Sequence, residues 1–204
     1  MKILIELPSW LGDTVMTTPA VENLINFFDD SKITLIGSLV SIEVYKNHPN
    51  VIETYVLDKK ISNLYRHVKN FGEFEVFLSF RGSVRSKFLK FFISARSKYQ
   101  FDKYRSHGNH QVEKYNNFVN ESLNSDLVAG KLIIHSKNKY KKGKSQLLGI
   151  NPGASYGSAK RWYPKEFANV AINLSKQYDI VIFGGHNEKD IAEDIEKSLI
   201  INGV

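Results

Sequence analysis

Leu147-Leu-Gly-Ile-Asn-Pro-Gly-Ala-Ser-Tyr-Gly-Ser-Ala-Lys-Arg-Trp-Tyr-Pro164 runs from an apolar strand through small residues to two adjacent cations and a proline. Proline is favoured in the first helical turn, so the stretch reads as strand, loop and helix start, one βα unit. Gly153, Ala154, Ser155 and Gly157 let backbone N–H groups approach an anion closely, and hydroxyls and Lys160 complete a phosphate grip. Gly/Ser-rich loops also serve as ordinary βα connections, so the loop alone decides the fold and not the function. Arg161 either touches phosphate or faces solvent. Trp162 is expected to pack at the helix start. Gly184-Gly185, after the strand Ile180-Val-Ile-Phe183, suits either a tight turn or a backbone approach to nucleotide.

The same grammar opens the chain. The apolar strand Lys2-Ile-Leu-Ile-Glu-Leu7 leads through Pro-Ser-Trp-Leu-Gly to Asp13, ahead of a helical pattern over 14–28. Gly12 permits a tight turn, and Asp13 falls where open α/β sheets bind ligands, outside the carboxyl ends of strands. Asp13 equally suits a helix N-cap, but Thr18-Pro19 offers a competing start that would release it. Further strands are expected near 33–37, 52–57 and 75–80, with a strand or loop near 98–102. Helices are expected near 40–47, 60–70, 84–94 and 110–123. After a Lys-rich stretch come strand 147–151, helix 164–176, strand 179–184 and helix 188–200. Alternating strands and helices predict α/β units with parallel sheets.

Leu11-Gly-Asp-Thr-Val-Met-Thr-Thr-Pro-Ala20, the 151–164 loop, Phe167-Ala-Asn-Val-Ala171 and Ile182-Phe-Gly-Gly-His-Asn-Glu-Lys-Asp190 together resemble the ADP-heptose:lipopolysaccharide heptosyltransferases, glycosyltransferase family 9. The second motif is most similar to the heptosyltransferase II members. The resemblance spans the chain and is weakest in its middle. It implies a two-domain GT-B architecture of two Rossmann-like, doubly wound parallel sheets. The expected divisions are 1–136 (acceptor domain), 137–146 (Lys-rich linker) and 147–204 (partial nucleotide-sugar domain). About 60 residues after the linker are short for a doubly wound domain. The family's further Asp-Thr-Gly-x-x-His segment has no counterpart here, so the second domain is expected to be incomplete and the activity of this chain in doubt.

Glycosyl transfer needs a base for the acceptor hydroxyl and positive charge for the departing diphosphate. The resemblance implies Asp13 as general base and Lys160 as stabiliser of the diphosphate, with inversion and without a metal ion or other cofactor. It places Ser155 and Tyr156 among the phosphate-binding positions, beside Gly153 and Arg161. ADP-heptose would be the donor and the lipid A-Kdo inner core the acceptor. Acceptor-binding candidates are Gly12, Arg81, Ser83, Arg85 and Lys87, from a basic set that runs to Lys98 around an apolar face of Val84, Phe88, Phe91 and Phe92. His107 and His110 lie near enough in sequence to be considered.

The net charge of +7 suits anionic partners: nucleic acid, a membrane surface or a phosphorylated substrate. Lys137-Asn-Lys-Tyr-Lys-Lys-Gly-Lys144 lacks periodicity and reads as a solvated linker. The chain has no cysteine, and its six histidines are scattered, so neither a disulfide framework nor a metal-ligand spacing is predicted. No apolar run reaches the roughly 20 residues of a membrane helix, and Glu6, Gly12 and Asp13 interrupt any signal-peptide core. The expectation is a cytoplasmic enzyme, peripheral to the inner membrane, that does not bind nucleic acid. The alternatives are a basic nucleic-acid or membrane-surface module, or a sugar-nucleotide epimerase of the same architecture.

Overall fold

The computed structural model describes residues 1–57, 71–105, 107–137, 146–154 and 158–204. The expected helix at 60–70 and most of the Lys-rich linker lie outside the described residues. Two compact units emerge, Met1–Asn138 and Lys139–Val204.

The first unit is a five-stranded parallel sheet: β1 (Lys2–Glu6), β2 (Lys32–Gly37), β3 (Val51–Val56), β4 (Phe74–Ser79) and β5 (Ala95–Gln100), in spatial order β3-β2-β1-β4-β5. Ile3, Leu4 and Ile5 of β1 are all fully buried, because a central parallel strand is covered on both faces. On one face Ile3, Ile5, Leu35 and Leu78 pack with α2 (Thr18–Phe27), α3 (Leu39–Tyr45) and α5 (Gln111–Leu123). On the other, Leu4, Ile36 and Phe77 pack with Leu89 of α4 (Val84–Phe92).

The continuous helix expected over 14–28 is broken. α1 (Leu11–Met16) ends at Thr17, and α2 begins with Pro19 in its first turn. Proline lacks an N–H, and its ring clashes with the carbonyl four residues back. Thr17 and Thr18 hydroxyls donate instead to the Thr14 and Val15 carbonyls, at 2.7 and 2.9 Å. The strand or loop expected near 98–102 is an edge strand that begins earlier, Ala95–Gln100, paired with β4.

The second unit pairs β6 (Gln146–Ile150) in parallel with β7 (Tyr178–Ile182). Ile150, Ala168, Ala171, Ile195 and Leu199 form its core between this sheet, α6 (Pro164–Leu174) and α7 (Lys189–Ile201). The fold is α/β throughout.

Candidate functional site

In the first unit the strand order reverses between β1 and β4, and ligands of open α/β sheets bind at such switch points, outside the carboxyl ends of the strands. The connection after β1 leads into α1, whose first turn carries Gly12 and Asp13 in place of the tight turn expected there, and the turn after β4 carries Arg81, Gly82 and Ser83. Local hydroxyls hold the first turn in place. Ser41 Oγ donates to Pro8 O at 2.5 Å, Ser38 Oγ to Ser9 O at 3.2 Å, and Thr14 Oγ1 to Trp10 O at 2.9 Å. Trp10, not Asp13, is the N-cap of α1, and Asp13 sits half-buried within the first turn. Capping therefore does not consume its carboxylate. Burial and the negative charge of Asp13 together push the Tyr115 hydroxyl up to about 12. Gly12 is exposed, with open space beside its Cα.

Beneath the second turn lies a carboxylate that the sequence reading passed over. Glu6, only 1% exposed, accepts from Ser79 Oγ at 2.5 Å and Ser86 Oγ at 2.9 Å, with Arg81 Nη1 3.7 Å away. The β1–β4 register sets Glu6 directly beside Ser79. Burial pushes the Glu6 carboxyl above its ordinary range, while Ser79, then Arg81, Ser86 and Arg85 pull the other way. Of the acceptor candidates, Arg81 is thus turned partly inward, and Ser83 is the N-cap of α4, accepting from Ser86 N–H at 3.2 Å. Lys87 is exposed and lines a cleft of about 790 Å³ with Lys90, Lys98, Lys103 and Arg105. His110 is a cap as well, its Nδ1 accepting from Val112 N–H at 3.3 Å.

Among the described residues, Glu22, His48 and His135 come together with one candidate ligand atom from each within 4.8 Å. His48 Nδ1 accepts from Asn50 N–H at 3.1 Å. A neutral imidazole carries one N–H, so His48 Nε2 bears it and donates to Glu22 Oε1 at 2.9 Å. That nitrogen offers no lone pair. The cluster is a hydrogen-bonded tie between α2, the turn after α3 and the segment holding His135, assembled from positions up to 113 residues apart.

In the second unit, Gly153 lies just beyond β6 and Lys160 ends a single 3-10 turn, Ser158–Lys160. Lys160 is exposed, and its ammonium has no hydrogen-bond or ion-pair partner among the described residues. Arg161 grips the loop itself, donating from Nε and Nη2 to Ala154 O at 3.2 and 2.9 Å. Ser155 and Tyr156 lie outside the described residues. Trp162 packs edge-on against Phe167, ring centroids 5.2 Å apart, just before Pro164 opens α6.

Glu188, also missed by the sequence reading, sits at the same sheet edge. Its Oε2 accepts from Gly185 N–H at 2.7 Å, and a Cβ on residue 153 would fall onto its carboxyl group. Gly153→Ala is therefore expected to displace Glu188 and cost about 1 kcal/mol in urea denaturation. In a double-mutant cycle with Glu188→Ala the two costs should be non-additive. Strict additivity would mean that the two positions do not interact.

The sequence model of glycosyltransferase family 9 (heptosyltransferase) matches residues 62–202, more than half of the chain. The chain belongs to this family. It is 36% identical over 208 aligned residues to lipooligosaccharide heptosyltransferase 2 of Campylobacter jejuni subsp. jejuni serotype O:2, a match covering 98% of this chain and 65% of that protein. It thus spans just under two thirds of the length of the curated relatives it matches most fully. A family 9 glycosyltransferase from Veillonella parvula superposes with a TM-score of 0.79 at 22% identity, over 96% of this chain and 66% of that one. ADP-heptose LPS heptosyltransferase II of E. coli gives 0.73 at 17% identity, over 98% and 71%. These likenesses establish the GT-B fold. Among the described residues no helix is long and apolar enough to cross a membrane.

Proposed function

We propose that this family 9 chain contributes to an inverting, metal-independent transfer of L-glycero-D-manno-heptose from ADP-heptose to the heptosyl-Kdo-lipid A inner core of lipopolysaccharide or lipooligosaccharide. The observation that carries the reading is the position of Asp13 at the β1/β4 switch point, half-buried and free of capping duty. Residues 1–136 serve the acceptor, 137–146 link, and 147–204 hold the diphosphate side of the donor. Asp13 takes the proton of the acceptor hydroxyl. The exposed Lys160 ammonium stabilises the departing diphosphate, and backbone at Gly153 with the hydroxyls of Ser155 and Tyr156 binds phosphate. Arg161 holds the loop in shape. Glu188 occupies the place, after the second strand of its unit, where dinucleotide-binding folds put a carboxylate toward ribose.

On the acceptor side, Lys87 and the basic cleft beside it suit the phosphorylated sugars of the inner core, while Gly12 gives the reacting hydroxyl room. Arg81, Ser83 and Arg85 shape the turn above Glu6. Such an acceptor is lipid-linked, which places the enzyme in the cytoplasm, peripheral to the inner membrane.

ADP tests the donor half. At a hundred times its Kd it should stabilise the folded protein by about 2.7 kcal/mol, read as a rise in Tm, and Lys160→Ala should remove most of that rise. A Tm indifferent to both ADP and ADP-heptose would sink the donor assignment.

A further inference from the structure

The apolar face of α4 points away from the protein. Ser86 and Leu89 are buried, whereas Val84, Phe88, Phe91 and Phe92 on the opposite side are all exposed, Phe91 by 77%. The Phe91 and Phe92 rings meet edge to face with centroids 5.3 Å apart, and Phe88 and Phe91 form an exposed aromatic ridge. Isolated exposed apolar residues are commonplace, but a contiguous helical stripe of four marks a contact surface.

Charge identifies what it contacts. Between Glu75 and Asp102 the chain has no carboxylate and six cations: Arg81, Arg85, Lys87, Lys90, Arg96 and Lys98. Lys87 is exposed beside the stripe, Arg96 is exposed on the edge strand β5, and Lys98 Nζ reaches the Phe91 carbonyl at 3.5 Å, at the carboxyl end of α4. Aromatic side chains projecting beside a cleft whose lining carries five cations against two acids, Asp102 and Glu121, fit the headgroup region of an anionic bilayer. The rings enter the acyl boundary and the cations meet lipid phosphates.

We propose that α4 and the adjoining edge of β5 dock the protein on anionic lipid membranes, with Phe88 and Phe91 inserted at the interface. The surface begins at Val84, directly after Ser83, so docking would bring the β1/β4 switch point close to the lipid surface from which a lipid-linked acceptor projects. The inference rests on exposure and charge, and it stands apart from the donor assignment.

Co-sedimentation with phosphatidylcholine vesicles, with and without phosphatidylglycerol, tests it. The protein should pellet only with the phosphatidylglycerol-containing vesicles and be released by added salt. Phe88→Ser/Phe91→Ser should weaken binding at least about tenfold. Phe91→Trp should retain binding and shift its tryptophan emission to the blue on anionic vesicles beyond any shift of the parent, which carries Trp10 and Trp162, an outcome that does not depend on the double variant folding. A protein that ignores anionic vesicles, a double variant that folds and binds as tightly as the parent, or emission from the Phe91→Trp variant unmoved by them would each overturn the proposal. So would a dimer in sedimentation velocity that the double variant dissolves, which would assign the face to a second copy. Loss of the ADP response would sink the donor reading and leave these outcomes unchanged.

Discussion

Glu6→Ala is expected to destabilise the first unit by about 3–5 kcal/mol in urea denaturation, the cost of removing one partner from a buried charged cluster. The carboxylate lies at the centre of the sheet, where Ser79 and Ser86 both donate to it and Arg81 approaches from the turn. Alanine would leave two hydroxyls without their acceptor and a guanidinium without its counter-charge. Glu6→Gln should cost less and have a distinct pH signature. Burial raises the Glu6 carboxyl above its ordinary 4.5, so over the window from there up to the folded value the folded state binds a proton more tightly than the unfolded state. Parent stability then falls as pH rises through that window, by at most about 1.4 kcal/mol per pH unit. Glutamine has no such slope, so its deficit against the parent should shrink with rising pH. A deficit that grew instead would show that the serines and Arg81 outweigh burial.

The role of Glu6 shows where sequence reasoning stops. Ile3-Leu-Ile5 announces a doubly covered strand because such a strand is apolar along its whole length, and the parallel α/β architecture follows from that pattern and its repeats. Glu6 looks like an interruption in the run until the register with β4 supplies Ser79, 73 residues on. The same network decides which face of α4 packs. Helical spacing gathers Val84, Phe88, Phe91 and Phe92 into one apolar face, but Ser86 is held to Glu6, and Leu89 follows it inward. Phe88 and Phe91 are consequently exposed. Periodicity can define a helical face but cannot tell which neighbour will claim it.

The candidate site divides in the same way. Asp13, Gly153 and Lys160 could be named as candidates because each falls in the connection that follows an apolar run, where βα units put functional groups at the carboxyl edge of a sheet. Glu188 was not, since its significance depends on Gly153 lying beside its carboxyl group. Nor were Glu22, His48 and His135, which only the fold brings together. Arg81, an acceptor-binding candidate, follows β4 at the switch point, but its inward turn depends on a partner invisible in the local sequence.

The second large effect is on turnover. Asp13→Asn should lower kcat for heptose transfer by about 10²–10⁴-fold, the usual worth of a positioned general base. Asparagine matches aspartate in size but cannot take up the acceptor proton. Transfer from ADP-heptose to heptosyl-Kdo-lipid A, followed by mass spectrometry, is best read in a form extended to the length of its relatives, because the chain spans 65% of theirs. The ADP-induced rise in Tm should persist in the variant, since diphosphate binding is assigned to residues of the second unit. Turnover and ADP stabilisation falling together would mean that residue 13 acts through the fold. Tyr115 supplies an independent control on geometry. Because the Asp13 charge helps raise its hydroxyl, ionisation of Tyr115 in a titration resolved by residue should move downward in Asp13→Asn. A correctly placed but uncharged side chain would then show lost turnover, retained nucleotide response and a lowered tyrosine ionisation together, a combination that misfolding cannot produce.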